Sequence, residues 1–447
     1  MNAPAIASGS SVTVMGLGTH GGGAGAVRYL CREGANVTLT DRRTAEELAE
    51  PLKTLGCEPA ILKLGGHDVA DFMTADLIVA SPAIPYDHDL LRAARSAGVP
   101  VTTELALAAA ALPPNVATAA VTGSNGKSTS CALLHAMLSA KHARTGGAAW
   151  LAGNGGGSLL DEIERVRPGD SVVWEVSSFQ LEYLVENGFR ADVAVVTNFA
   201  ANHLDRHRTL AAYRTAKQGL LENLRPTDTA ILNAADADVR IWPTAARRVL
   251  FDERSIPLPG AHNAQNAAAA EAAALALGCS PDDVEAGLKN ATLPPHRLQL
   301  VAERDGVRFV DDSAATTPES LIAALHATPG PIYMIAGGAD KGADLQAAAA
   351  AAIADRTAGA YFIGATASAW RAAVLKVAPD HRCFNSITLD AAFAAALQDA
   401  QHTGGAILLS PGCSSLDQFE SFEARGAAFA RLAHRQLRPH ARAADAS

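Results

Sequence analysis

The chain contains 447 residues, of which 49% are hydrophobic and 19% are charged, and its formal net charge is −9. This length predicts about two to four domains with ample core, and the negative charge argues against general nucleic-acid binding. No stretch has the character of a membrane span or a signal peptide, and the six cysteines have no paired spacing, so we expect reduced thiols, no membrane span and a cytoplasmic location.

The first segment predicts a Rossmann-type βαβ unit. A strand, a glycine-rich loop, a helix and a second strand follow one another at residues 12–15, 16–21, 24–33 and 36–40. The loop fits G-x-G-x-x-G through Gly16, Gly18 and Gly21. Asp41 ends the second strand, twenty residues after the last glycine. We therefore expect a nucleotide or its diphosphate at the helix N-terminus, with Asp41 near a hydroxyl.

A further strand at residues 77–80 ends at Ser81. Ligands of open parallel sheets gather at such strand ends, but Ser81 also reads equally well as a turn residue before a proline. The proline-rich stretch 112–115 predicts a linker. The first domain is therefore expected to span residues 1–111.

The second segment contains a strand, a glycine loop and a helix at residues 117–121, 123–126 and 129–138. Backbone N–H groups at Gly123 and Gly126 can turn toward a phosphate at the helix N-terminus. Lys127 can neutralise the outer phosphates, and the Ser128 hydroxyl can ligate Mg²⁺. Val121 stands where the strict phosphate-loop pattern has glycine, so we interpret the loop as a shortened variant.

Five further side chains of this segment are candidate functional residues because of their positions. Glu175 interrupts an apolar strand at 171–176, which predicts either a paired or metal-bound carboxylate or an edge strand that exposes it to water. His203 follows the strand at 193–197, and Lys217 lies on a helix-like stretch where it would by itself indicate a solvated lysine. Asn263 and Asn266 share one face near the start of an alanine-rich helix.

The third segment begins at a proline pair at 293–297 that indicates a hinge. Its strands at 307–310, 332–336, 359–363 and 406–410 each end in small and polar residues. That pattern predicts a second nucleotide-binding-like α/β domain over residues 296–447, which leaves 112–295 for the central domain.

Several motifs together resemble the Mur ligase family over nearly the whole chain. They are GSNGKST (123–129), WEVSSFQLE (174–182), TNFAANHLDRH (197–207), YRTAK (213–217), GAHNAQN (260–266), LPPHR (293–297), DDSAAT (311–316), GGADKG (337–342) and SPGCSSLDQF (410–419). The resemblance implies an α/β fold of three domains. These are a Rossmann-like domain for a UDP substrate, a central P-loop ATPase-like domain with a mostly parallel sheet, and a C-terminal Rossmann-like domain for an amino acid.

The resemblance also implies roles for individual residues. The catalytic set is Lys127, Glu175, His203 and Lys217. The implied metal ligands are Ser128, Glu175, His203 and Lys217, the last as a carbamate. The implied ATP contacts are Gly123, Ser124, Asn125, Gly126, Lys127, Ser128, Thr129, Asn263, Asn266, Arg297 and Asp312. The UDP substrate would contact Gly16, Gly18, Gly21, Asp41, Ser81, Asn154 and Ser177. The amino acid would contact Thr316, Lys341, Ser415 and Phe422.

The activity implied is ATP-driven amide formation in peptidoglycan precursor synthesis, by a monomer. The carboxylate of UDP-N-acetylmuramoyl-L-alanine would attack the γ-phosphate, and the amine of glutamate would attack the resulting acyl phosphate. ATP and two Mg²⁺ ions are the implied cofactors. The D-form of glutamate is favoured over the L-form by the resemblance alone.

The residues alone are also compatible with two other classes of protein. A nicotinamide-dependent oxidoreductase would explain the first glycine loop but not the second, and a non-catalytic nucleotide-binding regulator would not need Lys127, Glu175, His203 and Lys217. One departure bears on the substrate, because the family commonly has lysine in the motif DSKAT where this chain has Ala314. L-glutamate or another amino acid is therefore an alternative substrate.

Overall fold

The structure is a computed structural model, and it describes residues 6–18, 21–154, 157–254, 260–339 and 346–437. Among these residues, no helix is long and apolar enough to cross a membrane. The chain forms two compact units. The first comprises Met1–Phe199, Ala211–Arg254 and Gln265–Thr292, and the second comprises Ala200–Leu210, Ser255–Ala264 and Leu293–Ser447.

The strands of the described chain form three sheets, and all but one of the strand pairings are parallel. In chain order the strands are β1 Ser11–Met15, β2 Asn36–Asp41, β3 Ile61–Leu64, β4 Leu77–Ala80, β5 Val101–Thr102, β6 Ala117–Thr122, β7 Ala149–Gly153, β8 Ser171–Glu175, β9 Val193–Val196, β10 Thr229–Asn233, β11 Arg247–Phe251, β12 Gln299–Arg304, β13 Val307–Asp311, β14 Ile332–Gly337, β15 Gly359–Ile363, β16 Cys383–Ile387 and β17 Gly405–Leu409.

The α-helices alternate with these strands. They are α1 Gly22–Arg32, α2 Ala49–Lys53, α3 Val69–Met73, α4 Asp89–Ser96, α5 Glu104–Ala110, α6 Lys127–Thr145, α7 Ser178–Leu184, α8 Leu204–His207, α9 Leu210–Glu222, α10 Ala261–Ala276, α11 Pro281–Asn290, α12 Pro318–Ala327, α13 Gln346–Arg356, α14 Ala367–Val377, α15 Leu389–Thr403 and α16 Phe422–Leu437. Strand–helix alternation with parallel pairing is the expected result of right-handed crossover connections.

The first unit holds two sheets, with strand orders β3-β2-β1-β4-β5 and β11-β10-β9-β6-β8-β7. In the first sheet, β2 and β3 lie on one side of β1, and β4 and β5 lie on the other. In the second sheet, β7 and β8 lie on one side of β6, and β9, β10 and β11 lie on the other. Each switch point is therefore beside the strand that precedes a glycine loop. Ligands of open parallel sheets bind at such switch points, beyond the carboxyl ends of the strands. The topology therefore places both glycine loops where a nucleotide is expected.

Helix α5 joins these two sheets. Five consecutive residues of the helix, Leu105–Ala109, are buried, so it is apolar on every side rather than along one stripe. They belong to one hydrophobic cluster with Val12 and Val14 of β1 and with Trp174 of β8. The Ser158 hydroxyl donates to Glu104 at 2.6 Å, and Arg28 pairs with Asp161. The N-terminal and central sheets therefore share one continuous core.

The second unit is built on the sheet β12-β13-β17-β14-β15-β16, in which only the β12/β13 pairing is antiparallel. Alternate residues of its central strands enter different cores. Met334 and Ala336 pack in a cluster with residues of α12, α13 and α14, whereas Tyr333 and Ile335 pack in a cluster with residues of α15 and α16. Helices therefore cover both faces of this sheet, as in a doubly wound fold.

The sequence predicted most of these elements, and the predicted fold class is confirmed. Each of the strands predicted at 12–15, 36–40, 77–80, 117–121, 171–176, 193–197, 307–310, 332–336, 359–363 and 406–410 is present within one residue at each end. Strand β7 was not anticipated, and its presence removes β8 from the edge of the sheet. The domain boundaries at 111 and 295 stay predictions.

Candidate active site

The phosphate loop connects β6 to α6 and presents the helix N-terminus to the strand ends. Gly126 is the N-cap of α6 and has a φ of 84°, a left-handed conformation that glycine adopts without strain. A Cβ atom at Gly126 would lie 2.2 Å from the Asn266 side-chain oxygen, so no larger residue fits there. Asn266 itself accepts a 3.5 Å hydrogen bond from Ser130. The predicted contacts Gly126 and Asn266 are therefore neighbours.

Two residues that follow β9 hold this loop in place. The Asn198 carboxamide forms two hydrogen bonds with the peptide of Asn125, accepting from its N–H at 2.9 Å and donating to its carbonyl at 3.1 Å. Thr197 Oγ1 donates to the same carbonyl at 2.6 Å, and the Ser124 N–H donates to the Asn198 carbonyl. The motif segment TNFAANHLDRH was recognised in the sequence, but this bracing role of its first two residues was not.

Two lysines converge on the carbonyl oxygen of Gly123. Lys217 Nζ lies 2.7 Å from it, and Lys127 Nζ lies 3.0 Å from it and 3.1 Å from the Ser124 carbonyl. Lys127 begins α6, whereas Lys217 lies on α9. Both predicted catalytic amines therefore lie at the same end of the phosphate loop, as the resemblance implies.

Lys217 is buried, with 1% of its surface exposed, so the alternative of a solvated helix lysine is wrong. Burial lowers the pKa of its amine well below the usual value, and the charge of Lys127 lowers it further. The ring of Tyr213, one turn earlier on α9, lies 4.8 Å from Nζ, and its hydroxyl bonds to the Ser124 hydroxyl at 3.1 Å. Lys217 therefore places beside the loop an amine that loses its proton more readily than an ordinary lysine.

Glu175 is also buried, at 3% exposure, because β7 and β6 flank its strand on both sides. Its carboxylate accepts from the Ser128 hydroxyl at 3.0 Å and from the Asn154 amide at 3.4 Å. The alternative of an exposed edge-strand carboxylate is therefore wrong. A hydroxyl and a carboxylate at the N-terminus of a phosphate-loop helix are oxygen donors of the kind that Mg²⁺ prefers, so these residues fit that ion. Among the described residues, no group of three or more His, Cys, Asp and Glu side chains forms a metal cluster.

The first glycine loop lies at the ends of β1 and β4. Gly16, Gly18 and Gly21 all have positive φ, and a Cβ at Gly16 would lie 3.1 Å from Ser81 Cβ, so these predicted contacts are adjacent. Asp41 accepts from the Leu17 N–H at 2.9 Å and pairs with Arg43. Burial opposes ionisation of Asp41, but these hydrogen bonds outweigh it and hold its pKa below the usual range. Asp41 therefore braces the loop, and its contact with substrate stays a prediction.

The remaining predicted site residues of the central segment each lie at or near the start of a helix. Ser177 caps α7 in a reciprocal arrangement with Gln180, and Thr129 is buried in the first turn of α6. Asn263 is buried in the first turn of α10. His203 precedes α8 with a φ of 54° and belongs to the second unit.

Asp312 follows β13 in the second unit, beyond the end of the strand. Burial raises its pKa to about 7, although the Ser410 hydroxyl and the Leu298 N–H donate to it at 2.8 and 3.1 Å and Arg297 adds a favourable charge. The hinge residues 297–298 are thus fixed to the strand end through a buried carboxyl group. A direct contact between Asp312 or Arg297 and ATP stays a prediction.

Three of the four predicted amino-acid contacts lie at the ends of elements of the second unit. Thr316 follows β13, Ser415 follows β17, and these two strands pair directly. Phe422 begins α16, and its carbonyl accepts from Ser313 at 2.8 Å. The predicted contact Lys341 lies outside the described residues, although Ala339 just before it pairs with Ser414.

Comparison with known proteins places these features in a family. Three family models match in order: the MurD-like N-terminal domain at residues 10–103, the Mur ligase middle domain at 121–253, and the Mur ligase glutamate ligase domain at 296–413. A protein from Anaeromyxobacter dehalogenans is 38% identical, over 98% of this chain and 100% of its own length. The chain belongs to the Mur ligase family.

The A. dehalogenans relative is named UDP-N-acetylmuramoylalanine–D-glutamate ligase, as are others from a Roseiflexus species and from Geobacter metallireducens. The Roseiflexus protein is 35% identical, over 95% of this chain and 98% of its own, and the Geobacter protein is 36% identical over 94% and 96%. The solved UDP-N-acetylmuramate–alanine ligase of Thermotoga maritima has a TM-score of 0.58 at 18% identity, covering 96% of this chain and 99% of that one. The MurF ligase of T. maritima in complex with ADP gives 0.58 at 15%, covering 96% of each chain. These two structures support the fold.

Burial of Lys217 predicts a trade-off between stability and function. Replacing Lys217 by methionine removes a buried amine, and Lys127 still donates to the Gly123 carbonyl. We expect the Lys217→Met variant to melt about 2–6 °C higher than the wild type, in metal-free buffer depleted of carbon dioxide.

The sign of the pH dependence follows from proton linkage. The folded chain binds a proton at Lys217 more weakly than the unfolded chain, because the folded pKa is lower. Wild-type stability therefore rises with pH between the folded pKa and the ordinary lysine pKa of ~10.4. The gain from Lys217→Met should therefore be larger at about pH 6.5 than at about pH 9. Thermal melting at both pH values checks this, and a lower melting temperature for the variant at both would contradict it.

Proposed function

We propose that this chain adds D-glutamate to UDP-N-acetylmuramoyl-L-alanine in an ATP-dependent ligation of peptidoglycan precursor synthesis, in the cytoplasm and as a monomer. The observation that carries the proposal is the pair of lysines, Lys127 and Lys217, on one carbonyl of the phosphate loop, with Ser128 and Glu175 beside them. Full-length relatives named D-glutamate ligases support the choice of substrate.

The phosphate loop would hold the triphosphate of ATP. Backbone N–H groups around Gly126 and the N-terminus of α6 favour negative charge, and Lys127 lies where it can exchange its carbonyl contacts for phosphate oxygens. This arrangement orients the γ-phosphate toward the carboxylate that attacks it. Positioning and charge stabilisation are the main contributions that a protein makes to phosphoryl transfer.

Ser128 and Glu175 would hold one Mg²⁺ ion, and Lys217 with His203 would serve a second. When bound, the ions supply positive charge next to the phosphate oxygens. The low pKa of Lys217 suits a further step, because a neutral amine can react with carbon dioxide. The N–H bond gives way to an N–C bond, a proton is released, and the resulting carbamate offers oxygen ligands where an ammonium group would repel a cation.

The two substrates would contact different parts of the chain. The first glycine loop with Ser81, and Asn154 and Ser177 at the end of β8, would contact the UDP-linked substrate. Thr316, Ser415 and Phe422, together with Lys341, would receive glutamate. The amine of glutamate would then attack the acyl phosphate formed on the alanine carboxylate, and inorganic phosphate would leave as the amide bond forms.

The two rival classes explain less of this geometry. A nicotinamide-dependent oxidoreductase has no use for a second phosphate loop or for the Ser128–Glu175 pair. A non-catalytic nucleotide-binding regulator would not need an amine with a lowered pKa beside that loop. Absorbance of a copurified nicotinamide, or ATP binding without turnover, would favour the first or the second rival respectively.

The substrate assignment is tested by phosphate release from ATP with UDP-N-acetylmuramoyl-L-alanine and a panel of amino acids. We expect D-glutamate to support the fastest release, with little release when the amino acid is omitted. Faster release with L-glutamate would change the stereochemical assignment but not the reaction. Much faster release with a neutral or basic amino acid would overturn the choice of glutamate.

Lys127→Ala should reduce phosphate release by about 10³-fold or more, because a charge partner of the γ-phosphate is lost from a water-poor site. Lys289→Ala is a matched control, since Lys289 is exposed on α11. Both variants should keep the wild-type melting profile. Turnover near the wild-type value in a folded Lys127→Ala variant would remove Lys127 from the phosphate site.

Lys217→Ala should be nearly inactive, and millimolar formate or acetate should restore part of its activity if a carbamate is the working form. A small carboxylate can occupy the space left by the carbamate and supply the same oxygen atoms. The control is Lys127→Ala, which the same carboxylates should not rescue. Full activity of Lys217→Ala, or equal rescue of both variants, would contradict the carbamate.

A further inference from the structure

Arg425 on α16 is a charged side chain inside the second unit, with only 1% of its surface exposed. Its Nε donates to the Ser313 hydroxyl at 3.0 Å. Its two terminal nitrogens donate to the Ser313 carbonyl at 3.0 Å and to the Cys413 carbonyl at 3.3 and 3.2 Å. Every guanidinium nitrogen is therefore satisfied, and each of these acceptors is neutral.

The charge of Arg425 has no ion-pair partner among the described residues. Asp311 pairs with His296 at 2.6 Å and accepts from the Ser313 N–H, and Asp417 accepts from the Ala365 N–H. Burial lowers the pKa of Arg425 to about 10, which still leaves it a cation at neutral pH. The negative charges of Asp417 and Asp311 oppose that shift. The surrounding low dielectric screens the electrostatic interactions of a buried charge weakly.

The acceptors of Arg425 lie in two loops that follow adjacent parallel strands. Ser313 follows β13 and Cys413 follows β17, so the guanidinium bridges the two strand ends. The same loops carry Thr316 and Ser415. The helix approaches the end of β13 closely, since a Cβ at Gly426 would lie 2.8 Å from an Asp311 carboxylate oxygen. Any shift of the Arg425 side chain would therefore move the loops of the predicted amino-acid site.

The alanine at position 314 leaves the predicted amino-acid site without one positive charge, so another cation is needed near it. An amino acid such as glutamate brings two carboxylates, and enclosing them requires cations or several aligned donors. The family lysine next to Ser313 is absent here. Arg425, a buried cation, is hydrogen-bonded to Ser313, the residue next to Ala314.

We propose that Arg425 is a positioning residue for the incoming amino acid: it fixes the spacing of the loops that follow β13 and β17, and its charge favours the carboxylates of the amino acid without touching them. This inference rests on the proposed function for the identity of that amino acid. The predicted contacts of the UDP-linked substrate lie in the first unit, whereas the predicted ATP contact Asp312 is the neighbour of Ser313 in the chain. The KM for the UDP-linked substrate is therefore the reference value.

The experiment measures three KM values by phosphate release, for D-glutamate, for ATP and for UDP-N-acetylmuramoyl-L-alanine. Arg425→Gln keeps hydrogen-bond donors but removes the charge. It should raise the KM for D-glutamate by about 10- to 100-fold, raise the KM for ATP less, and leave the KM for UDP-N-acetylmuramoyl-L-alanine within about 2-fold. Arg425→Lys keeps the charge and loses the bridge, and should give a smaller rise. Arg431→Gln, on an exposed position of the same helix, is the matched control and should change none.

The role of charge is isolated by adding a lysine where the family has one. In the Arg425→Gln background, Ala314→Lys should lower the KM for D-glutamate by about 5-fold or more, and in the wild type it should lower it less. A merely structural arginine would give no such rescue. No rescue, or an equal rise of all three KM values in folded Arg425→Gln, would overturn the inference.

Two further outcomes stay decisive. If Arg425→Gln has no cooperative melting transition, Arg425→Lys decides, and an unchanged KM for D-glutamate in that variant would overturn the inference. If the wild type releases phosphate with another amino acid instead of D-glutamate, the proposed substrate fails. The same variants are then measured with that amino acid, whose α-carboxylate should still depend on Arg425.

Discussion

The geometry of the phosphate site depends on the burial of a lysine amine against one backbone carbonyl. Lys217 is buried, and its amine shares the Gly123 oxygen with Lys127. Keeping both amines charged at such proximity in a buried site has a large free-energy cost. The loop is therefore held in a conformation that already collects its cationic and oxygen-bearing groups. Asn198 and Thr197 reinforce that conformation through the peptide of Asn125. A site arranged in this way has little to reorganise when charge develops in the transition state.

At each of the three sheets, a buried carboxyl group is likewise satisfied by hydrogen bonds from its neighbours. Parallel strands deliver their carboxyl ends to a common edge, and the residues that follow them are held by one another: Asp41 by Leu17, Glu175 by Ser128, Asp312 by Ser410. Each of these carboxyl groups would be costly to bury alone. Their partners come from neighbouring strands or loops, so the fold and the site stabilise each other.

The sequence revealed the strands and glycine loops because these depend on local pattern, and the motif order revealed the family. It could not reveal the burial of Lys217, since the residues that cover it come from distant parts of the chain and α9 has an ordinary helical pattern. The roles of Asn198 and Arg425 were not predicted for the same reason, because each bonds to a backbone group more than 70 residues away, at Asn125 and Ser313 respectively. Glu175 stayed ambiguous until β7 was seen beside it, because β7 is short and weakly apolar. The position of Lys341 lies outside the described residues.

Helix α5 has a consequence for how such ligases can diversify. Its residues are buried on all sides by material from both the N-terminal and the central sheet. A chain cut between Ala111 and Leu112 would expose apolar surface on both fragments, although the family models begin and end on either side of that point. Exchange of N-terminal domains between ligases that recognise different UDP-linked substrates would therefore succeed only when the partners of α5 in the central domain are exchanged with it. The boundary between the sequence domains of the family therefore differs from the boundary between units that can fold separately.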